Sequence, residues 1–168
     1  MTASLKGIRV LEMSQIMAGP TCGLLLADLG AEVIKIEKTP TGDDTRNFLP
    51  PDINGEAAAF MMMNRNKKGI AINLKDKDGI KIFKEMVKNS RKGTLEKLGI
   101  GYDVMSEINP KIILCEISGY GRTGPYSDKG GFDLVAQGMS GLMSITGESK
   151  DKPPMKVGAP ITDITAGL

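Results

Sequence analysis

The chain has 168 residues, of which 40% are hydrophobic and 25% charged, and its formal net charge is +2. This is the composition of a single globular domain with a core, and it gives no field for nucleic acid: the 22 Lys and Arg are scattered, and three Tyr and four Phe leave little for base stacking. Histidine is absent, which removes Ser-His-Asp and Cys-His nucleophilic systems, His-ligated zinc and histidine general bases; chemistry rests on carboxylates, lysines, hydroxyls or backbone, and no metal site is expected.

No stretch reaches the length of a membrane span, and Met1-Thr2-Ala3-Ser4 runs directly towards a strand instead of forming a signal peptide. A cytoplasmic protein with no membrane partner is expected. The first periodic unit lies between Ile8 and Lys38. Ile8, Val10 and Leu11, then Val33, Ile34 and Ile36, are short β-branched runs of strand length, whereas Leu24, Leu25, Leu26 and Leu29 have helical spacing and are closed by Gly30. Strand, helix and strand of these lengths make a βαβ unit. Its turn carries Ala18-Gly19-Pro20 and offers only Gly19 and Gly23, not the G-x-G-x-x-G that lets a pyrophosphate approach a helix N-terminus. NAD or FAD is therefore not expected there, although Glu37 falls where a ribose-binding acid would stand.

Residues 39–54 form a polar loop containing Gly42-Asp43-Asp44-Thr45-Arg46. Met61, Met62 and Met63 read as core filler beside the sheet, with a flexible substrate-lining surface as the second reading, and Ile70 to Leu74 as a short strand. Asp76 to Asn89 is an amphipathic helix with Ile80, Phe83, Met86 and Val87 on one face and lysines on the other. At Ser90-Arg91 the alternation breaks, because a helical segment from Gly93 to Gly99 follows where a strand is due. Either two helices connect directly, or a few residues are missing between Ser90 and Arg91. Tyr102 to Ile108 reads as a helix stopped before Pro110, and Ile112 to Ile117 as a buried strand opening into a loop, Gly119 to Tyr126, whose glycines allow a ligand close approach. Cys22 and Cys115 read as buried small hydrophobes in a reducing compartment. A helix from Asp133 to about Met143, a turn through Pro153-Pro154, and a helix beginning near Asp163 complete the chain. On residue type alone, an Asp opening a helix is an N-cap.

The ordered series Ala18-Gly19-Pro20, Leu26 to Glu37, Gly42-Asp43, Asn64-Arg65-Asn66-Lys67-Lys68, Gly93 to Gly99, Ile117 to Gly121 and Gly124-Pro125-Tyr126 resembles the class III CoA-transferases, the family of formyl-CoA transferase and carnitine CoA-transferase. The resemblance implies an α/β, Rossmann-like fold with a mostly parallel sheet and flanking helices, forming part of a larger interlocked homodimer. Residues 1–168 would be the N-terminal part of its CoA-binding large domain, with the remainder after Leu168 absent. The family carries a few more residues at Ser90-Arg91, which favours a gap there.

The family's nucleophile is an aspartate matched here by Asp163, which would attack an acyl-CoA thioester and pass CoA to a second carboxylic acid through aspartyl anhydride and aspartyl-CoA intermediates. CoA and acyl-CoA are thus implied as substrates, with no permanently bound cofactor. Met17, Ala18, Lys38, Ile72, Asn73, Leu74, Lys75 and Lys97 match CoA contacts, with lysine at positions 38 and 97 where many members have arginine. Gln15, Phe132 and Asp133 match the acyl pocket. Met17 stands where the formyl-CoA enzyme has glutamine. The alternatives are an α-methylacyl-CoA racemase, whose Gly-His-Asp motif is matched by Gly131-Phe132-Asp133 without the histidine, and a non-catalytic CoA-binding module.

Overall fold

A computed structural model describes residues 3–88 and 100–168, which fall into two units, Met1–Glu116 and Ile117–Leu168. In the first, strands β1 (Arg9–Glu12), β2 (Glu32–Glu37) and β5 (Lys68–Ala71) form a parallel sheet in the order β1-β2-β5. Helix α1 (Ala18–Asp28) connects β1 to β2. It ends where the sequence places its stop: Gly30 has φ +96°, its amide reaches the Ala27 carbonyl, and the Ala31 amide reaches that of Leu26. This 6→1 and 5→2 pair satisfies carbonyls that the helix end would otherwise orphan.

Strand parity sorts the core into two faces. Val10 and Val33 are register partners and pack with Ala27 and Ala31 beneath α1. On the opposite face Leu11 and Ile36 meet Phe83 and Val87 of α3 (Lys77–Lys88), Met105 of α4 (Tyr102–Ile108), Ile100 and Ile112. Each such buried side chain contributes about 2 kcal/mol of transfer free energy. Helix α3 thus buries the face that its periodicity assigns.

Several expectations shift. The third strand ends at Ala71, not Leu74, because Asn73 and Asp76 offer the backbone an alternative: Asn73 Oδ1 accepts the Lys75 amide and Asp76 Oδ1 the Asp78 amide. Residues 112–117 form no strand. Ile112 enters the core with its amide on the Asn109 carbonyl, but Ile113 is 65% exposed and no described strand pairs with the run. Pairing requires an edge as well as β-branched residues. Cys115 on that run is exposed, and Cys22 is half-buried, so neither is the buried hydrophobe expected.

The polar loop holds more structure than its composition announces. A 3-10 turn (Asp44–Asn47) is followed by a hairpin of β3 (Asp52–Ile53) and β4 (Glu56–Ala57), whose Asn54-Gly55 turn has φ of +55° and +84° at both positions. In α2 (Ala58–Asn64) only Met63 of the three methionines is buried; Met61 and Met62 face outward, so they are not core filler.

The second unit contains α5 (Asp133–Met139), α6 (Leu142–Ile145) and α7 (Ile161–Gly167). The helix expected to run to Met143 stops at Met139, because Gly141 at φ +80° turns the chain before α6. The expected helix at Gly93–Gly99, Lys97 within it and the Ser90-Arg91 junction lie outside the described residues.

Candidate active site

The residues matched to CoA contacts in the first unit gather at the carboxyl ends of the parallel strands, where ligands bind in open α/β sheets. Gln15 to Ala18 follow β1, Lys38 follows β2, and Ile72 to Lys75 follow β5; the pairing of Glu37 with Ala71 places Lys38 beside Ile72. Gln15, Lys38, Asn73 and Lys75 are exposed, while Met17, Ala18 and Leu74 are half-buried. Ile72 is in the core with its amide on the Glu37 carbonyl, so its side chain is committed to packing. Lys38 Nζ lies 2.6 Å from Asp44 Oδ1.

Beneath this edge lies a buried ionic network. Strand parity puts Glu12 and Lys35 on the α1 face, in line with Val10 and Val33. Lys35, 2% exposed, sits 3.0 Å from Glu12 Oε1 and 2.7 Å from Asp43 Oδ2, and donates to the Ser14 carbonyl at 3.0 Å. Lys67 Nζ lies 2.7 Å from Glu12 Oε2 and donates to the Pro20 carbonyl. Cations and carboxylates balance, as burial of charge requires. Burial pushes the Asp43 carboxyl up, but the Lys35 ammonium and the Thr45 amide and hydroxyl outweigh it and hold Asp43 below the usual range. Burial pulls the Lys67 ammonium below the usual lysine range, against the opposing pull of Glu12.

The network explains both glycines of the first turn. A Cβ on Gly23 would lie 1.8 Å from Glu12 Oε2, and one on Gly19 would lie 2.1 Å from Ser14 Cβ. They make room for the protein's own atoms. Glu37 is likewise spent internally: Arg46 donates to both its oxygens at 2.8 Å and the Asp43 amide donates at 2.9 Å, leaving no free acid for a ribose. The Asn64 to Lys68 run is also explained by pairing. Arg65 and Asn66 meet Asp28, Lys67 meets Glu12, and Lys68 meets Glu32.

Asp43 Oδ1 accepts the Thr45 amide, the Thr45 hydroxyl and, at 3.2 Å, the amide of Ile16. Ile16 has φ +71°. For a β-branched residue this left-handed conformation costs on the order of 1–3 kcal/mol.

In the second unit the Asp133 carboxylate holds the start of α7. Its Oδ1 accepts the Thr162 amide at 2.9 Å and the Thr162 hydroxyl at 2.7 Å, and its Oδ2 accepts Gln137 Nε2 at 2.7 Å. The fully buried Gln137 also takes the Val157 amide on Oε1. Asp133 therefore does the capping, and Asp163 is not the N-cap that its residue type predicts. The Asp163 carboxylate has no hydrogen-bond or ion-pair partner among the described residues. Burial, then the charge of Asp133, push its carboxyl above the usual range. Phe132, at the racemase histidine's position, is 69% exposed. Of the loop glycines, Gly119 is needed where Gly131 passes, since a Cβ on it would lie 2.3 Å from Gly131 Cα, whereas Gly121 and Gly124 take left-handed φ values of +79° and +94° with open space around them.

The ionic network at Glu12, Lys35, Asp43 and Lys67 escapes a motif search. Its signal is local: a charged residue at an inward strand position between β-branched neighbours, as in Val33-Ile34-Lys35-Ile36.

A parallel sheet with a helical crossover and flanking helices defines the chain as an α/β protein. Residues 5–168 match CoA-transferase family III, and the chain belongs to that family. It is 46% identical over 171 residues to the succinyl-CoA:glutarate CoA-transferase of Mus musculus, covering 98% of this chain and 39% of that protein. It is 43% identical over 177 residues to the succinate–glutarate CoA-transferase of Agrobacterium fabrum, covering 98% and 44%. A crystal structure of a CAIB/BAIF family protein from Brucella suis superposes with a TM-score of 0.92 at 39% identity, covering 99% of this chain and 47% of that one. The chain thus spans about two-fifths of the length of the curated relatives it matches. No helix among the described residues is long and apolar enough to cross a membrane.

Proposed function

We propose that this chain is the N-terminal part of an acyl-CoA:carboxylate CoA-transferase in which Asp163 is the nucleophile. The observation that carries the proposal is the Asp163 carboxylate itself: half-buried, relieved of capping by Asp133 and without a hydrogen-bond or ion-pair partner among the described residues, in a chain of this family. An Asp163 oxygen attacks the thioester carbonyl, the C–S bond breaks, and CoA leaves as thiolate. The thiolate then attacks the Asp163 carbonyl of the mixed anhydride, expelling the donor acid and leaving an aspartyl-CoA thioester. The acceptor carboxylate attacks that carbonyl, and the released thiolate attacks the acceptor's acyl carbon, restoring Asp163. Covalent catalysis by a carboxylate needs no histidine here because thiolate is a competent leaving group. A racemase would need a second acid/base group at Phe132, which has none.

Lys38, Met17, Ala18, Asn73, Leu74, Lys75, the Ile72 backbone and Lys97 are assigned to CoA, and Gln15, Phe132 and the neighbourhood of Asp133 to the acyl groups. The names of the relatives point to dicarboxylic acids, with succinyl-CoA as donor and glutarate as acceptor. We assign the full-length protein to a cytoplasmic interlocked homodimer. A short deletion between Ser90 and Arg91 is compatible with the mouse alignment, whose 171 positions exceed the residues that 98% of this chain's 168 supplies.

The test is exchange of CoA from succinyl-CoA to glutarate by the full-length protein. Asp163→Ala is expected to lower kcat by a thousandfold or more, on the order of what loss of a covalent nucleophile costs, while free CoA still binds. Turnover unchanged in Asp163→Ala refutes the assignment.

A further inference from the structure

The catalytic proposal leaves Asp43 without a role, yet its placement is demanding. It is 0% exposed, one oxygen is held by Lys35, and the other reaches Ile16, 27 residues away in sequence. Ile16 is 40% exposed, so burial of its side chain does not account for a left-handed backbone at φ +71°. Glycine would adopt that conformation freely. The same turn is held on its other side, where Lys35 donates to the Ser14 carbonyl. One buried ion pair therefore grips the carbonyl before Gln15 and the amide after it.

We propose that Asp43 is a positioning residue: by accepting the Ile16 amide it holds Gln15-Ile16-Met17 in a left-handed kink and so fixes the backbone that this turn presents to acyl-CoA. The proposal rests on the assignment of this turn to CoA. Lys35 holds Oδ2, and Thr45 donates its amide and hydroxyl to Oδ1, the oxygen that accepts the Ile16 amide, so Asp43 has little rotational freedom. Without that acceptor, Ile16 relaxes to negative φ and the flanking peptide planes rotate away from their ligand.

The test compares full-length wild type, Asp43→Ala and Asp43→Ala/Ile16→Gly in kcat and KM for succinyl-CoA, together with a crystal structure of Asp43→Ala. Asp43→Ala is expected to lower kcat/KM by about 10- to 100-fold, the scale on which small misplacements act. Adding Ile16→Gly is expected to recover about tenfold, because glycine takes the kink unaided. The crystal structure is expected to show Ile16 at negative φ. Unchanged kinetics in Asp43→Ala, no gain from the glycine, or Ile16 still near +71° would each overturn the clamp. A wild type that exchanges no CoA overturns the proposed function alone, and the crystal structure still decides the clamp. Should Asp43→Ala fail to fold, Lys35→Met/Asp43→Ala, with and without Ile16→Gly, gives the same comparison without leaving Lys35 and Lys67 to share Glu12 as their one buried carboxylate.

Discussion

Asp43 in the first unit and Asp133 in the second do the same local job under opposite electrostatics. Each accepts a backbone amide from a distant segment, Ile16 for one and Thr162 for the other, and each thereby fixes a stretch to which we assign a role in the proposed reaction. Asp43 is paired with Lys35, so its charge is neutralised where it is buried. Asp133 meets neutral donors, those of Thr162 and Gln137 and the Asp163 amide, and has no ion pair among the described residues. Its field therefore reaches Asp163 and adds to burial in pushing that carboxyl up. At Lys67 the field of the paired Asp43 is opposed by that of Lys35, whereas the charge of the unpaired Asp133 adds to burial at Asp163.

Breaking the pairing should have the largest effect on stability. Lys35→Met leaves Glu12 and Asp43 short of a buried cation and is expected to cost about 3–5 kcal/mol in urea unfolding, whereas Lys35→Met/Asp43→Ala recovers much of that loss. Equal losses in the single and double variants would show that the charges are not coupled. The sign with pH follows from the lowered Asp43 carboxyl. Its contribution is fully present above the unfolded carboxylate value and is lost as pH falls through the folded one.

Crowding the same network should cost less. Gly23→Ala places a methyl 1.8 Å from Glu12 Oε2 and forces the carboxylate to move, for an expected loss of about 1–3 kcal/mol. A Gly23→Ala variant as stable as wild type would mean that Glu12 has room the structure does not show.

The smallest effect is on the unpaired side. Asp133→Asn keeps an acceptor for Thr162 but removes the charge, at a cost of about 1–2 kcal/mol for the disturbed contact with Gln137. As the proposed nucleophile Asp163 must be ionised to attack, so activity is expected to fall as pH drops through its raised value, and removing the neighbouring charge should move that acidic limb to lower pH. A pH–rate profile checks this, and a limb that stays put or rises would remove Asp133 from the account.

Periodicity made the βαβ unit, helix α3 and helix α4 legible, because one buried face sets the spacing of their apolar residues. The run at 112–117 has the composition of a strand but forms none, because a strand depends on a partner edge that local composition does not reveal. The Asn54-Gly55 hairpin has its turn signal in the sequence, but the polar residues around it have the composition of a loop. Asp163 could be picked out by its resemblance to the family's nucleophile. Its freedom from capping could not, because that depends on Asp133, thirty residues earlier, reaching Thr162. Gly19 and Gly23 show the same limit: their scarcity excluded a pyrophosphate turn, but only the packed atoms show that they accommodate Ser14 and Glu12.

The central claim is that Asp163 carries the acyl transfer covalently. Full-length protein mixed with succinyl-CoA and reduced with borohydride, then digested and sequenced by mass spectrometry, tests it directly. An aspartyl-CoA thioester is reduced to the alcohol, so the account predicts homoserine at position 163, dependent on succinyl-CoA. An unmodified Asp163 in protein that turns over, or reduction at a different carboxylate, would contradict it.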